Sequence, residues 1–259
     1  LGTELCERHS RGVRLSRFGA AVVPVARNVL QALRATTETL SALQAGAQAL
    51  LRLGTIPAAA AGLLAPTLPA FMQAHPGLQI ELIEENSVHL LPELAAGRLD
   101  AVVCRRPGEL PGNWVFELLL ADEPVVVLAP GDALTQRPRV TLRDLDSRAW
   151  VLPPQGTGIR AYFDALWAGR ERRPTLYPLA TTALTVVLEA MRSQAVVSLM
   201  PRSFAQSLVD TGQAAIVPLK LPKTGHTALE GLGLLTTGQP DPPPLRELRE
   251  WLRPLGGRR

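Results

Sequence analysis

Cysteine is almost missing from this chain. The 259 residues hold two, Cys6 and Cys104, far apart and in no CxxC or Cys/His cluster. That excludes a disulfide framework and a thiolate zinc site, and it predicts a reducing, cytoplasmic compartment. Aromatic residues are scarce as well, at 4% of a composition that is 46% hydrophobic. The core must then be built from Leu, Val, Ala and Ile, which suits helices packed on strands in an α/β fold. No apolar run of the ~18 residues of a membrane span is free of both charge and proline, and the first residues have no signal-peptide pattern, so no membrane partner is expected. An initiating Met is also lacking, which predicts a start inside a longer parent chain, with processing of the N-terminus as the alternative.

Catalytic signatures are absent too. His9, His75, His89 and His226 share no metal-ligand spacing. Glu85 and His89 lie four apart, but Asn86-Ser87 reads as a helix start between them, which argues against a metal pair. Gly156-Thr157-Gly158 lacks the third glycine of a dinucleotide fingerprint, and no G-x-S-x-G elbow positions a nucleophile. No catalytic residue, metal or cofactor is therefore nominated.

What is present is an uneven charge. The formal net charge of +4 lies in the first 34 residues, where Arg8, Arg11, Arg14, Arg17, Arg27 and Arg34 face Glu4 and Glu7; the remainder balances 21 basic against 21 acidic residues. Clustered cationic charge is the sequence-independent part of nucleic-acid affinity. A solvated Arg-rich surface is the plainer alternative. Residues 4–17 read as a small basic hairpin turning at Ser10-Arg11-Gly12, where Gly12 can supply a positive φ.

From Ser16, a helix N-cap, the pattern becomes helical. Val22, Ala26, Val29, Leu33, Thr36, Leu40, Leu43, Ala47 and Leu50 alternate steps of four and three, and all but Thr36 are apolar. A seam repeating at this period on one long helix predicts homodimerisation through Val29, Leu33, Leu40 and Leu43. Packing on the chain's own body is the alternative, and Pro24 weighs against an uninterrupted seam.

Beyond Leu50, short apolar runs alternate with amphipathic stretches. Strands are predicted at 51–55, 78–83, 101–104 and 125–128, with helices at 63–74 and 89–96. A second set follows: strand 150–152, helix 158–168, strand 175–179, helix 183–192, strand 195–199, helix 202–209 and strand 215–217. A strand at 229–235 and a helix carrying Leu245, Leu248, Trp251 and Leu252 close the chain. Two α/β lobes with mainly parallel sheets follow from this order.

Leu1-Gly2, Leu5-Cys6-Glu7-Arg8 and Arg11-Gly12-Val13-Arg14-Leu15-Ser16 resemble the end of a LysR-type winged helix-turn-helix running into its linker helix. Gly54-Thr55, His75-Pro76-Gly77, Gly97-Arg98-Leu99-Asp100, Asp122-Glu123-Pro124-Val125-Val126-Val127 and Val197-Ser198-Leu199-Met200-Pro201 continue the likeness in order. Within that family, Trp150-Val151-Leu152-Pro153-Pro154 is most similar to regulators of a galactose-binding protein.

The resemblance implies a wing remnant at 1–16, a linker and dimerisation helix at 17–50, and an effector-binding domain at 51–259. That domain would have the bilobal type 2 periplasmic-binding-protein fold, with lobe I at 51–128 and 222–259 and lobe II at 129–221. The recognition helices would lie upstream, so this chain alone should bind DNA weakly, through phosphate contacts from Arg8, Arg11, Arg14 and Arg17. A homodimer or homotetramer is implied.

Small ligands of open α/β sheets sit beyond the carboxyl ends of the strands. The expected effector contacts there are Thr55, Ile56, Ser87, Arg105, Thr157, Thr181, Thr182 and Met200, with Arg105 able to hold an anionic effector. Ser87, Thr157 and Thr181 can equally be helix caps, and Arg105 can be a solvated loop charge. The competing functional reading is a solute-binding protein of a transport system with the same fold. An enzyme ranks last.

Overall fold

Alternation at period two explains both sheets. In β3 (Ala49–Thr55), Leu51 and Leu53 face one core. In β5 (Ala101–Arg105), Ala101 and Val103 join that core, while Val102 and Cys104 face a second one on the opposite side. Both faces are covered, so these strands read as continuous apolar runs. The computed structural model describes residues 2–9, 12–44, 46–170, 173–222 and 229–253.

The chain opens with β1 (Cys6–His9) and β2 (Gly12–Leu15), an antiparallel hairpin in which Glu7 opposes Arg14. Gly12 has φ of 135°, as its place at the turn requires. The long helix α1 (Arg17–Gln44) follows. Its N-cap is Ser16: the Gly19 amide donates to Ser16 Oγ at 3.1 Å, and that hydroxyl donates to the Glu4 carbonyl at 2.7 Å. Gly19 is a steric necessity, because a Cβ there would lie 2.0 Å from the Leu5 carbonyl oxygen. The helix ends earlier than its apolar repeat predicts. Gly46 takes φ of 97°, and Leu50, expected on the seam, pairs with Gln79 in the first sheet.

That sheet has the order β4 (Leu78–Glu84), β3, β5, β12 (Leu232–Thr236) and β6 (Val115–Leu120). The second has the order β11 (Ala215–Ile216), β7 (Pro124–Leu128), β10 (Val197–Pro201), β8 (Trp150–Leu152) and β9 (Leu176–Ala180). In each, one strand runs against the other four: β12 in the first and β7 in the second. Both reversed strands enter after the chain has crossed from the other sheet. Val125–Leu128, assigned to lobe I on sequence, therefore belongs to the second sheet, and the crossing lies at 121–123. Strand β6 escaped sequence reading because Glu117 interrupts its apolar pattern.

Helices α2 (Pro57–Ala59), α3 (Leu68–Ala74), α4 (Ser87–Ala95) and α8 (Pro243–Leu252) accompany the first sheet. Phe71 of α3 and Leu245, Leu248 and Leu252 of α8 fill the core shared with β3. Between α2 and α3, residues Ala60–Leu64 form a π-helical turn, closed by Ala65 N–H to the Ala60 carbonyl at 2.8 Å. The sequence predicted a helical stretch at 63–74 broken early by Pro66 and Pro69; the chain turns helical sooner, at Pro57, and resumes as α3 at Leu68. Helices α5 (Gly158–Trp167), α6 (Leu184–Gln194) and α7 (Arg202–Asp210) accompany the second sheet. Tyr162, Phe163 and Trp167 of α5 cover one face, and Met191 of α6 and Leu208 of α7 the other.

Glu117 on β6 takes Arg249 at 3.0 Å and Arg253 at 2.7 Å, pinning α8 to the sheet edge. Burial works to raise its carboxyl, and the two guanidinium groups overcome this, holding it below the ordinary value of 4.5. The stabilisation is then complete above that value and lost as pH falls through the depressed one. Acid unfolding followed by circular dichroism should begin at higher pH in the wild type than in a Glu117→Gln variant normalised to its own neutral-pH stability. Gly233 in β12 provides a second check: a Cβ there would lie 2.3 Å from the Glu117 carbonyl oxygen. Gly233→Ala should lower stability by about 1–3 kcal/mol in urea denaturation.

Candidate functional site

The carboxyl ends of the parallel strands supply the candidate site. In the first lobe Thr55 ends β3, Glu84 ends β4 and Arg105 ends β5; in the second, Leu152 ends β8, Ala180 ends β9 and Pro201 ends β10. Backbone bonds tie these ends together: Ile56 N–H to Val103 O, Glu85 N–H to Thr55 O, and Thr181 N–H to Leu152 O, at 3.2, 3.0 and 3.1 Å. Helix N-termini follow at Ser87, Gly158 and Leu184, and unpaired N–H groups there favour polar or anionic ligand groups.

The sequence-predicted residues divide into two groups. Thr157 caps α5, accepting from Arg160 N–H at 3.3 Å and donating to Pro154 O at 3.1 Å. Thr181 accepts from Ala183 N–H at 3.0 Å, and Thr182 beside it is exposed. Ser87 is the first residue of α4, and half-buried. Ile56, also half-buried, is the N-cap of α2. These five lie at strand ends or helix starts with at least part of their surface open.

Three others are committed elsewhere. Met200 is 6% exposed and packs in the core with Val187, Met191 and Leu208, because β10 directs alternate side chains to opposite faces. Thr55 is fully buried, and its hydroxyl donates to the Ile56 carbonyl at 3.2 Å. Arg105, read as an anion clamp, donates from Nη2 to Asp122 Oδ2 at 2.8 Å and from Nη1 to the Glu230 carbonyl. Its charge is already balanced.

Asp122 is the residue whose role sequence reasoning missed. Only 1% of its side chain is exposed, and beside Arg105 it accepts from Ser203 N–H at 3.1 Å, Ser203 Oγ at 2.8 Å and its neighbour Glu123 N–H at 3.0 Å. Arg105 belongs to the first lobe, Asp122 to the crossing, and Ser203 to the first turn of α7 in the second lobe. On the first lobe, Gly62 of the π turn abuts this same serine: a Cβ on Gly62 would lie 2.5 Å from Ser203 Cβ. Near the other crossing, Tyr162 Oη donates to the Pro222 carbonyl at 2.6 Å. The signal was the Asp122-Glu123-Pro124 step, where a carboxylate and a proline interrupt two apolar runs.

Burial pushes the Cys104 thiol up to about 12, so it stays protonated and unreactive. Glu85 and His89 do meet, at 3.3 Å, but both are exposed, and no cluster of three metal-binding side chains occurs among the described residues. No helix among them is long and apolar enough to cross a membrane.

Replacing Asp122 with Ala strands Arg105 and the Ser203 amide. The expected loss is about 3–5 kcal/mol in urea denaturation, as for breaking a buried ion pair. Ser203→Ala, which removes one hydroxyl donor, should cost about 1 kcal/mol.

Comparison with known proteins follows this geometry. A family model described as the LysR substrate binding domain matches residues 44–256. GbpR of Azospirillum brasilense, an HTH-type transcriptional regulator, is 28% identical over 220 residues, covering 84% of this chain and 64% of the relative. The crystal structure of full-length CbnR complexed with its target DNA superposes with a TM-score of 0.68 at 17% identity, covering 94% of this chain and 83% of that one. The effector binding domain of QuiR, in complex with shikimate, has a TM-score of 0.60 at 18% identity, covering 80% and 96%. The chain spans between about half and two thirds of the length of the curated relatives it matches first.

Proposed function

The chain belongs to the LysR substrate binding domain family, and from that premise we propose that it is the effector-sensing and self-associating part of a LysR-type regulator of transcription. The observation that carries this reading is the surface of α1. Val25, Val29, Leu33 and Leu40 are each more than half exposed along one helix joined to a two-lobed body. A lone helix gains nothing from such a stripe, whereas a second copy would bury it. The side chain of Leu43, the fourth seam residue, lies outside the described residues. A transport protein with the same fold has no use for this helix.

The effector is a small polar organic molecule held between the lobes, with Ser87, Thr157, Thr181 and Thr182 as hydrogen-bonding contacts and Ile56 as an apolar one. Thr157 keeps its capping bond and Thr181 its bond from the Ala183 amide, while both offer remaining lone pairs outward. QuiR is in complex with shikimate in its structure, and a hydroxylated acid of that size suits the same residue types. Arg105 acts through Asp122 rather than on the ligand. Effector binding shifts the relative disposition of the lobes, and α1 passes that shift to its dimer partner. DNA contact belongs to the complete parent protein; in this chain Arg14 and Arg17 are exposed for phosphate contact, while Arg11 and the Arg8 side chain lie outside the described residues.

Two measurements test the reading. Light scattering coupled to size-exclusion chromatography should return a dimer or tetramer, and Leu33→Glu combined with Leu40→Glu should shift it to smaller species; a wild-type monomer overturns the proposal. A thermal-shift screen of sugars, sugar acids and hydroxylated carboxylic acids should find one that raises the melting temperature, with the gain lost in Thr157→Ala/Thr181→Ala.

A further inference from the structure

Residues 35–259 balance their charges, yet one groove on the second lobe collects cations only. It encloses about 820 Å³ beside the edge strand β11, between segments 138–142 and 216–220, and shares no residue with the strand-end site. Its charged lining is Arg139, Arg202 and Lys220; no carboxylate lines it among the described residues. Val140, Ile216 and Leu219 give it an apolar floor continuous with the lobe's cores.

Neighbouring carboxylates are already engaged. Asp144 accepts from the Thr141 amide and hydroxyl at 2.8 and 2.6 Å and from Arg137 at 2.9 Å. Glu123 pairs with Arg202 across the first crossing. Arg139 and Lys220 have no ion-pair partner among the described residues. Two exposed cations over an apolar floor present the complement of an amphipathic anion.

A peptide strand is a poorer fit. The Val140 amide already donates to the Pro218 carbonyl at 3.2 Å, and Pro138 and Pro218 offer no N–H, so little backbone remains to pair with an added strand. The volume lies within the ~300–1,000 Å³ usual for small-molecule sites.

We propose that this groove is a second ligand site, separate from the interlobe site, that binds small amphipathic organic anions, an aryl or branched aliphatic body on the floor and a carboxylate or sulfonate between Arg139 and Lys220. Arg202 completes the cationic wall, and because it pairs with Glu123, an anion that reaches it competes directly with a contact of the crossing. Occupancy of the groove therefore bears on the hinge without entering the interlobe space.

The test uses naphthalene-2-carboxylate and its neutral isostere naphthalene-2-carboxamide, titrated by calorimetry against the full chain. Three proteins are compared: wild type, Arg139→Gln/Lys220→Gln in the groove, and Thr157→Ala/Thr181→Ala at the strand-end site. The carboxylate should bind saturably to wild type and equally to the strand-end variant. Binding should weaken about tenfold or more in the groove variant and on raising salt, and the carboxamide should bind at least as weakly. Both groove substitutions are at exposed positions, and an unchanged melting temperature without ligand verifies the fold. Absence of saturable binding, equal binding of the carboxamide, or undiminished binding by the groove variant overturns the proposal. Loss of binding only in the strand-end variant also overturns it, while leaving the interlobe reading intact.

Discussion

A single buried carboxylate holds the two lobes in register. Asp122 sits where the chain first leaves one sheet for the other, and its donors come from both sides: Arg105 from β5 and Ser203 from the start of α7. A charge in that position is costly unless every lone pair is used, and here four donors use them. The close approach of Gly62 to Ser203 depends on the same arrangement. Movement between the lobes must therefore pivot at this point or break it; on the second crossing Tyr162 donates to the Pro222 carbonyl and the same Arg105 to the Glu230 carbonyl.

The sheets were legible because their physics is local. Leu51, Leu53, Val102 and Val103 lie in apolar runs bounded by turn residues, and the mainly parallel pairing followed from alternation with helices. The position of β7 was not legible: Val125–Leu128 is as apolar as any lobe I strand, and only long-range pairing with β10 and β11 assigns it. The same applies to α1, where the heptad pattern ran on through Leu50 while Gly46 ended the helix.

At the candidate site the helix start at Thr157 could be read from capping chemistry, because a cap is a matter of three or four neighbouring residues; Ser87, read as a cap, is instead the first residue inside α4, with Asn86 at the N-cap. Met200 and Arg105 could not be read this way. Both were placed just past strands ending at 104 and 199, whereas β5 and β10 run through them, and whether a side chain near a strand end points outward or is taken by a distant partner depends on residues far along the chain, Asp122 and Glu230 for Arg105. Burial of an ion pair leaves no periodic trace in a sequence.

The junction of hairpin and helix sets how force can travel at the start of the chain. Ser16 joins the helix's first turn to Glu4, its amide donates to Leu5 O at 3.0 Å, and Gly19 leaves no slack against that same oxygen. The hairpin is thus welded to the rod behind it. Any torque that turns α1 about its axis must swing β1 and β2 through the same angle, as a key turns with its shank.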